Sequence, residues 1–417
     1  MGLRLDKLAG LNPFAGGGVL SIDFGAQSLK LLQVSTGEPA QLIGAACQHV
    51  PAELAGDAVK RFEHQCDELP GLIKSSGLRA RRAMVAIPAS QMFCKHMQVA
   101  AGDRREVERA TATAVATQLG CDEAMLSCRT VVVEGAACPP GRVEVLALAT
   151  AGTLVQRLME ALRAAKLEPM GMTSEFQALL SAFRPVNRRT SDEDLTSLYL
   201  DIGAGSTKIV VGHGTKLAFA KAIPMGGRFL DQCVAQQSRC SLPEARALRQ
   251  GLTTLTRQVT PAVTLGAAGT MSAKVEAAAK VAETASGATA TMAPPVASAG
   301  PEAAASAAQR LASSATPAVD MTDALRAMTD EIALSLRYHE QLFAARRVSR
   351  VIFVGGESRH LPLCQHIARA LRVPAHAADP LARVARTGKE PCAGIDLSTA
   401  QPGWAVPMGL HLNPTDV

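Results

Sequence analysis

Aromatic residues make up only 3% of this 417-residue chain, with two tyrosines and one tryptophan, which leaves little for stacking against bases. No nucleic-acid partner is expected, even though the net charge is +6. No apolar run approaches the roughly 18 uninterrupted residues that a membrane-crossing helix needs. The opening MGLRLDKLAGLNPFAGGG lacks the apolar centre and small-residue cleavage site of a secretory signal. Asp6 also stands where N-myristoylation requires Ser or Thr. The expectation is a cytoplasmic chain that does not span a membrane. Ten cysteines contain no C-x-x-C pair and nine histidines are not spaced for zinc, so the thiols read as reduced and buried.

Large apolar side chains are likewise scarce from about 254 to 317, where Ala, Thr, Ser, Pro and Gly dominate, as in ETASGATATMAPPVASAGPEAAASAAQ. Such a segment cannot bury enough surface to offset its ordering entropy, and it reads as a disordered insertion.

Elsewhere the chain supplies ample core material, with 47% hydrophobic residues. Strand-like runs such as GVLSIDF, SLKLLQV, RAMVAIP, CRTVVVEG, VEVLALAT, SLYLDIG, TKIVVGH, LAFAKAIP and VIFVGG alternate with helical spacing. In TLVQRLMEALRAAKLEP, Leu154, Leu158 and Leu162 fall on one helical face together with Val155 and Met159. The mixture predicts an α/β or α+β fold.

One device occurs twice. SIDFGAQSLKLLQV and LDIGAGSTKIVVGHG each read apolar strand, Asp, one apolar residue, Gly, small residues and a second strand. Glycine lets backbone amides approach an anion, and the small neighbours Ala26, Ser28, Ala204, Gly205 and Ser206 leave it room. Asp23 and Asp201 can hold a hydrated cation. Two plain hairpins whose acids cap their own turns would look similar singly, but the repetition favours two halves of a phosphate cradle. No G-x-x-x-x-G-K-[ST] is present, and TGKE near Thr387 lacks its leading glycine and its hydroxyl. A third glycine element, Gly355 and Gly356 in VIFVGGESRHLP, joins a strand to a helix where backbone can slide close to a ligand.

The order of these pieces resembles the actin-like ATPase superfamily: first phosphate hairpin, connecting helix, second phosphate hairpin, adenosine glycines. Within it, the chain resembles the PilM family of type IV pilus biogenesis proteins, in AMVAIPAS, AAKLEPMGMTSEFQALLSAF, FAKAIPMGGRFLDQCV, SLPEARALRQ, EIALSLRYHEQLF, VGGESRHLPL and AVPMGLHL. The resemblance implies an actin-like (ribonuclease H-like) two-domain α/β fold with a small α+β subdomain inserted in the first half. Residues 1–18 would be a flexible start and 19–192 the first domain, carrying the insert at about 51–147. Residues 195–374 would form the second domain, and 375–417 would return to the first.

By the same resemblance ATP and Mg are the cofactors. Asp23, Gly25, Ala26, Gln27, Ser28 and Lys30 would form the first phosphate loop, with Lys30 reaching phosphate oxygens. Asp201, Gly203, Ala204, Gly205, Ser206 and Thr207 would form the second, and Asp23 and Asp201 would hold Mg through water. Gly226, Gly227, Arg249, Gly355 and Gly356 would take the adenosine side. Glu175 on the connecting helix, with Gln177 as a nearby substitute, would orient a water if ATP is hydrolysed. Two departures stand out: ERATATAVATQLGCDEAML replaces the insert's usual acid and Ile-Pro-Phe turn, and Arg246 and Arg249 stand where the family has an acid and a lysine. Slow or absent hydrolysis follows as the expectation.

The implied role is a cytoplasmic scaffold at the inner face of the inner membrane. It would grip the short cytoplasmic tail of an inner-membrane PilN-like partner, be peripheral to the membrane through that partner, and leave self-association open. The alternatives are a type II secretion-like cytoplasmic subunit, an actin-fold small-molecule kinase or an FtsA-like division protein.

Overall fold

The structure, a computed structural model, describes residues 18–187, 192, 194–252, 255 and 319–412. The expected flexible start and the Ala-rich insertion at about 254–317 lie outside the described residues, apart from Gly18 and Leu255.

Among the described residues, three sheets organise the chain. The first has six strands in the order Cys392–Ala393, Leu42–His49, Ser28–Val34, Leu20–Phe24, Arg82–Ile87 and Glu168–Ser174. Leu20–Phe24 pairs antiparallel with Ser28–Val34 and parallel with Arg82–Ile87. The second has five strands in the order Lys216–Ile223, Thr207–His213, Thr196–Ile202, Arg350–Val354 and Ala375–Ala377. It repeats the same plan, because Thr196–Ile202 pairs antiparallel with Thr207–His213 and parallel with Arg350–Val354. Both central strands are buried along their whole length, as expected for strands covered on two faces. The duplicated motif of the sequence therefore belongs to a duplicated topology.

Helix Ala58–Ser76 and helix Gly152–Ala164 cover one face of the first sheet, where Phe62, Leu69, Leu158 and Leu162 pack on Leu20, Ile22, Leu31 and Val85. Asp57 caps the former by accepting from the Val59 and Lys60 amides. The opposite face takes helices Glu175–Ser181 and Ala405–Leu412 through Ala178, Val406 and Leu410.

The third sheet, Phe93–Ala100, Arg142–Ala151 and Leu126–Val132, is antiparallel and is backed by helix Arg104–Leu119. A reciprocal capping box between Asp103 and Glu106 starts that helix. The family resemblance starts the insert at about residue 51. Yet Ala58–Ser76 and Arg82–Ile87 form a crossover onto the first sheet, and the separate unit begins only at Phe93.

All ten cysteines are free, but only Cys66 and Cys364 are buried, which corrects the wholly buried reading; burial pushes the Cys66 thiol up to about 12. Where the chain leaves and re-enters the described fold, the Met321 amide donates to the Leu255 carbonyl at 3.1 Å. The two ends of the intervening segment are thus tied together before helix Thr322–Leu342 begins.

Candidate functional site: a cavity between two hairpins

A cavity of about 740 Å³ is lined by both hairpin turns, Gly355, Gly356 and the returning segment Gln401–Val406. The turns are built alike. The Gly25 amide donates to Ser28 O, and the Gly203 amide to Ser206 O, each at 3.0 Å. The Ala26 and Gln27 amides in one turn, and those of Ala204 and Gly205 in the other, have no backbone acceptor among the described residues. They are available to an anion. Gln65 braces the first turn by donating to Gly25 O at 2.9 Å.

Asp23 and Asp201 are almost fully buried and both line the cavity. Asp23 lies opposite Lys30 across its hairpin, and Asp201 lies opposite Lys208. The Lys30 ammonium lies 3.4 Å from Asp23 Oδ2 and donates to Gly403 O at 2.7 Å. Lys208 donates to Asp201 Oδ2 at 2.7 Å and lies 3.4 Å from Glu175 Oε2. Burial works against the Lys208 charge, but Asp201 and Glu175 outweigh it and raise its pKa above the ordinary value. Glu175 also accepts from the Ala89 amide at 2.8 Å. Its burial raises its pKa, and Lys208 opposes that rise.

Two glycines make the close approaches possible. A Cβ on Gly355, at φ +90°, would strike Asp201 Oδ1 and the Ile202 carbonyl, and one on Gly226 would strike the backbone of the second turn.

Of the residues singled out in the sequence, the cavity gathers Asp23, Gly25, Ala26, Gln27, Ser28, Lys30, Glu175, Asp201, Gly203, Ala204, Gly205, Ser206, Gly355 and Gly356. Four others stand behind its wall. Thr207 is fully buried and its hydroxyl donates to Met225 O at 2.7 Å. Gly226 and Gly227 pack beneath the second turn and against Glu357. Arg249, expected beside adenosine, is instead fully buried between Asp231 at 2.6 Å and Glu357 at 2.8 Å. The cavity wall has Arg246, Arg228 and Gln250 there. Gln177, the expected substitute for Glu175, lines a different groove.

Lys208 escaped the sequence reading, although Asp201, Gly203 and Lys208 repeat the D-x-G-x(4)-K spacing of Asp23, Gly25 and Lys30. That spacing was the available signal. Arg61 and Arg228, also on the wall, carry no such signature.

Asp23 Oδ1 is buried with no hydrogen-bond partner, an arrangement that fits a carboxylate turned toward a hydrated cation. Among the described residues no group of three or more His, Cys, Asp or Glu side chains is arranged to ligate a metal directly, so an ion here would be held through water.

The second groove, of about 900 Å³, runs between the edge strand Glu168–Ser174 of the first sheet and the edge strand Leu126–Val132 of the inserted one. Met84, Val155, Met159, Met170 and Met172 supply its apolar lining, with Arg104, Arg129, Glu108 and Glu134 among its polar residues.

The family model described as type IV pilus assembly protein PilM matches residues 21–290, well over half of the chain. The chain belongs to the PilM family. A solved structure described as a PilM-PilN type IV pilus biogenesis complex is 20% identical, covers 95% of this chain and 98% of that one, and superposes with a TM-score of 0.66. That likeness gives the family's actin-like fold to this chain. The ethanolamine utilization protein EutJ of Carboxydothermus hydrogenoformans is 14% identical, covering 94% of this chain and 89% of its own, with a TM-score of 0.45. MreB5 of Spiroplasma citri, solved with ADP, is 10% identical over 94% of each chain, with a TM-score of 0.39. No curated protein matches the chain.

Proposed function

We propose that this member of the PilM family is a cytoplasmic nucleotide-binding scaffold that holds the tail of an inner-membrane PilN-like partner. The observation that carries the nucleotide half is the facing pair of D-x-G-x(4)-K hairpins around one cavity. The free amides of both turns, with Lys30 and Lys208, would hold phosphate oxygens by charge-assisted hydrogen bonds. Gly355 and Gly356 would admit the adenosine, with Arg246 and Gln250 beside it. Asp23, through its unpartnered Oδ1, and Asp201 would hold the water shell of Mg, whose chemistry here is to neutralise phosphate charge. Glu175 is tied to Ala89 and Lys208, which supports slow or absent hydrolysis.

The partner half rests on the methionine-lined groove between two unpaired strand edges. Such edges can add a strand of peptide, and methionines adapt to apolar side chains. Helix Glu175–Ser181 is shared, with Glu175 on the nucleotide cavity and Gln177 on the groove. Movement of this helix would couple the two sites, and the coupling would be reciprocal. Among the described residues no helix is long and apolar enough to cross a membrane, so the partner's own span would supply the attachment.

The test is titration of ATP with Mg into wild type, Asp23→Ala and Asp201→Ala, together with capture of a partner-tail peptide by wild type and Met159→Lys. Each aspartate variant should lose affinity in Mg by up to about tenfold, while Met159→Lys should lose the tail and keep ATP. Equal ATP affinity in all three proteins removes the cavity assignment. Rapid ATP consumption with a small-molecule acceptor and no captured tail replaces the scaffold with a kinase.

A further inference from the structure

The family reading gives the metal two aspartates and the phosphates one lysine. The cavity has a different charge arrangement. Asp23, Asp201 and Glu175 line it together with two ammonium groups, Lys30 and Lys208, and with the guanidinium groups of Arg61, Arg228, Arg246 and Arg359 and the carboxylates of Glu357 and Asp396. Lys208 is not a surface lysine that happens to reach inward, since its side chain is 11% exposed and its strand is buried throughout. An ammonium has three donors. Asp201 takes one from Lys208 and Glu175 lies within reach of a second. Lys30 has the same economy, with Gly403 O taking one donor and Asp23 lying near another. Each hairpin therefore keeps one donor uncommitted on a residue that lines the cavity.

We propose that Lys208 is a second phosphate-binding cation, which lets this cavity hold a triphosphate with little dependence on a divalent ion. The inference rests on the nucleotide reading above and extends it. Polyphosphate approaching three uncompensated carboxylates is repelled, and a site of that kind requires a metal to bind at all. Here Asp201 already carries a fixed cation at 2.7 Å, so its charge is matched before any ligand arrives. Asp23 keeps a buried oxygen without a hydrogen-bond partner, turned to the metal's water shell. Lys208 then takes the phosphate oxygen that the second hairpin would otherwise reach through the ion.

The experiment is ATP titration in excess Mg and again in excess EDTA, for wild type, Lys208→Gln and Lys208→Arg, with a melting curve for each protein. Wild type should bind in EDTA within about tenfold of its affinity in Mg. Lys208→Gln should lose about tenfold or more in EDTA and less in Mg, since one charge-assisted bond is removed. Lys208→Arg should restore the wild-type ratio. In an Asp201→Asn background, which leaves no charge there to neutralise, Lys208→Gln should still lose affinity in EDTA; no loss there would mean that the lysine merely neutralises Asp201, and that result overturns the inference. So does wild type that binds in Mg but not in EDTA, a result independent of how the variants fold. Folded wild type that binds ATP under neither condition removes the nucleotide reading itself.

Discussion

Arg249 has no accessible surface, and both of its carboxylate neighbours are buried with it. Burial works against its charge, but Glu357 and Asp231 outweigh that and raise its pKa, while burial raises the pKa of Asp231. Removing the arginine strands two carboxylates in a low-dielectric interior. Arg249→Met should therefore destabilise the fold by about 3–5 kcal/mol, read as a lowered urea midpoint at unchanged slope. A loss under 1 kcal/mol would show that water reaches the cluster. The sequence could not reveal this role, because Arg249 sits in SLPEARALRQ among residues of every exposure, and its partners lie on other elements. Lys208 was different: its spacing from Asp201 copies that of Lys30 from Asp23, and no tertiary knowledge was needed to see it. Thr207 matched the family pattern yet turned inward to Met225 O, a choice set by tertiary contacts.

At the scale of elements, the two hairpins were readable because acid, glycine and flanking strands are contiguous. The edge strand Glu168–Ser174 was not, since Pro169 and Gly171 give EPMGMTS the look of a turn, and an edge position is where a strand tolerates proline. Its consequence is the methionine groove. The helix Gly152–Ala164 likewise presented one broad apolar face in sequence, but Leu154, Leu158, Ala161 and Leu162 enter the core, and Val155 and Met159 are left to line that groove.

A second pairing of elements was invisible. His213, on the strand Thr207–His213, and His339, on the helix Thr322–Leu342, meet through their Nε2 atoms at 2.9 Å. One ring must donate and the other accept, so the pair cannot be doubly charged in place. Burial lowers both to about 4, with His339 and Arg346 adding to the effect on His213, and His96 to that on His339. Unfolded, each titrates near 6.5, so the unfolded chain binds more protons below that pH. Stability from keeping the pair neutral is complete above about pH 6.5 and is lost as pH falls toward 4. The melting temperature should decline across that window, and His339→Leu should flatten the decline. An equally steep acid limb in the variant would place the loss elsewhere.

At the scale of the whole molecule, one topology used twice sets two glycine turns against a single cavity, and its duplication was the strongest signal in the sequence. A crossover helix such as Ala58–Ser76 and the first helix of an insertion share the same amphipathic pattern, so sequence alone does not say which sheet it serves. The residues between Leu255 and Met321 belong to the same scale. Removing 256–320 and joining the ends with a short glycine linker should leave stability within about 1 kcal/mol, since loop-closure entropy varies slowly with length. Chemical denaturation and ATP titration of the shortened chain check this; collapse of the fold would show that the segment packs against it. The hydrogen bond from the Met321 amide to the Leu255 carbonyl joins the two flanks of that segment as a clasp joins the ends of a necklace. A fluorescent protein spliced at the clasp should report on the scaffold in living cells without loosening it.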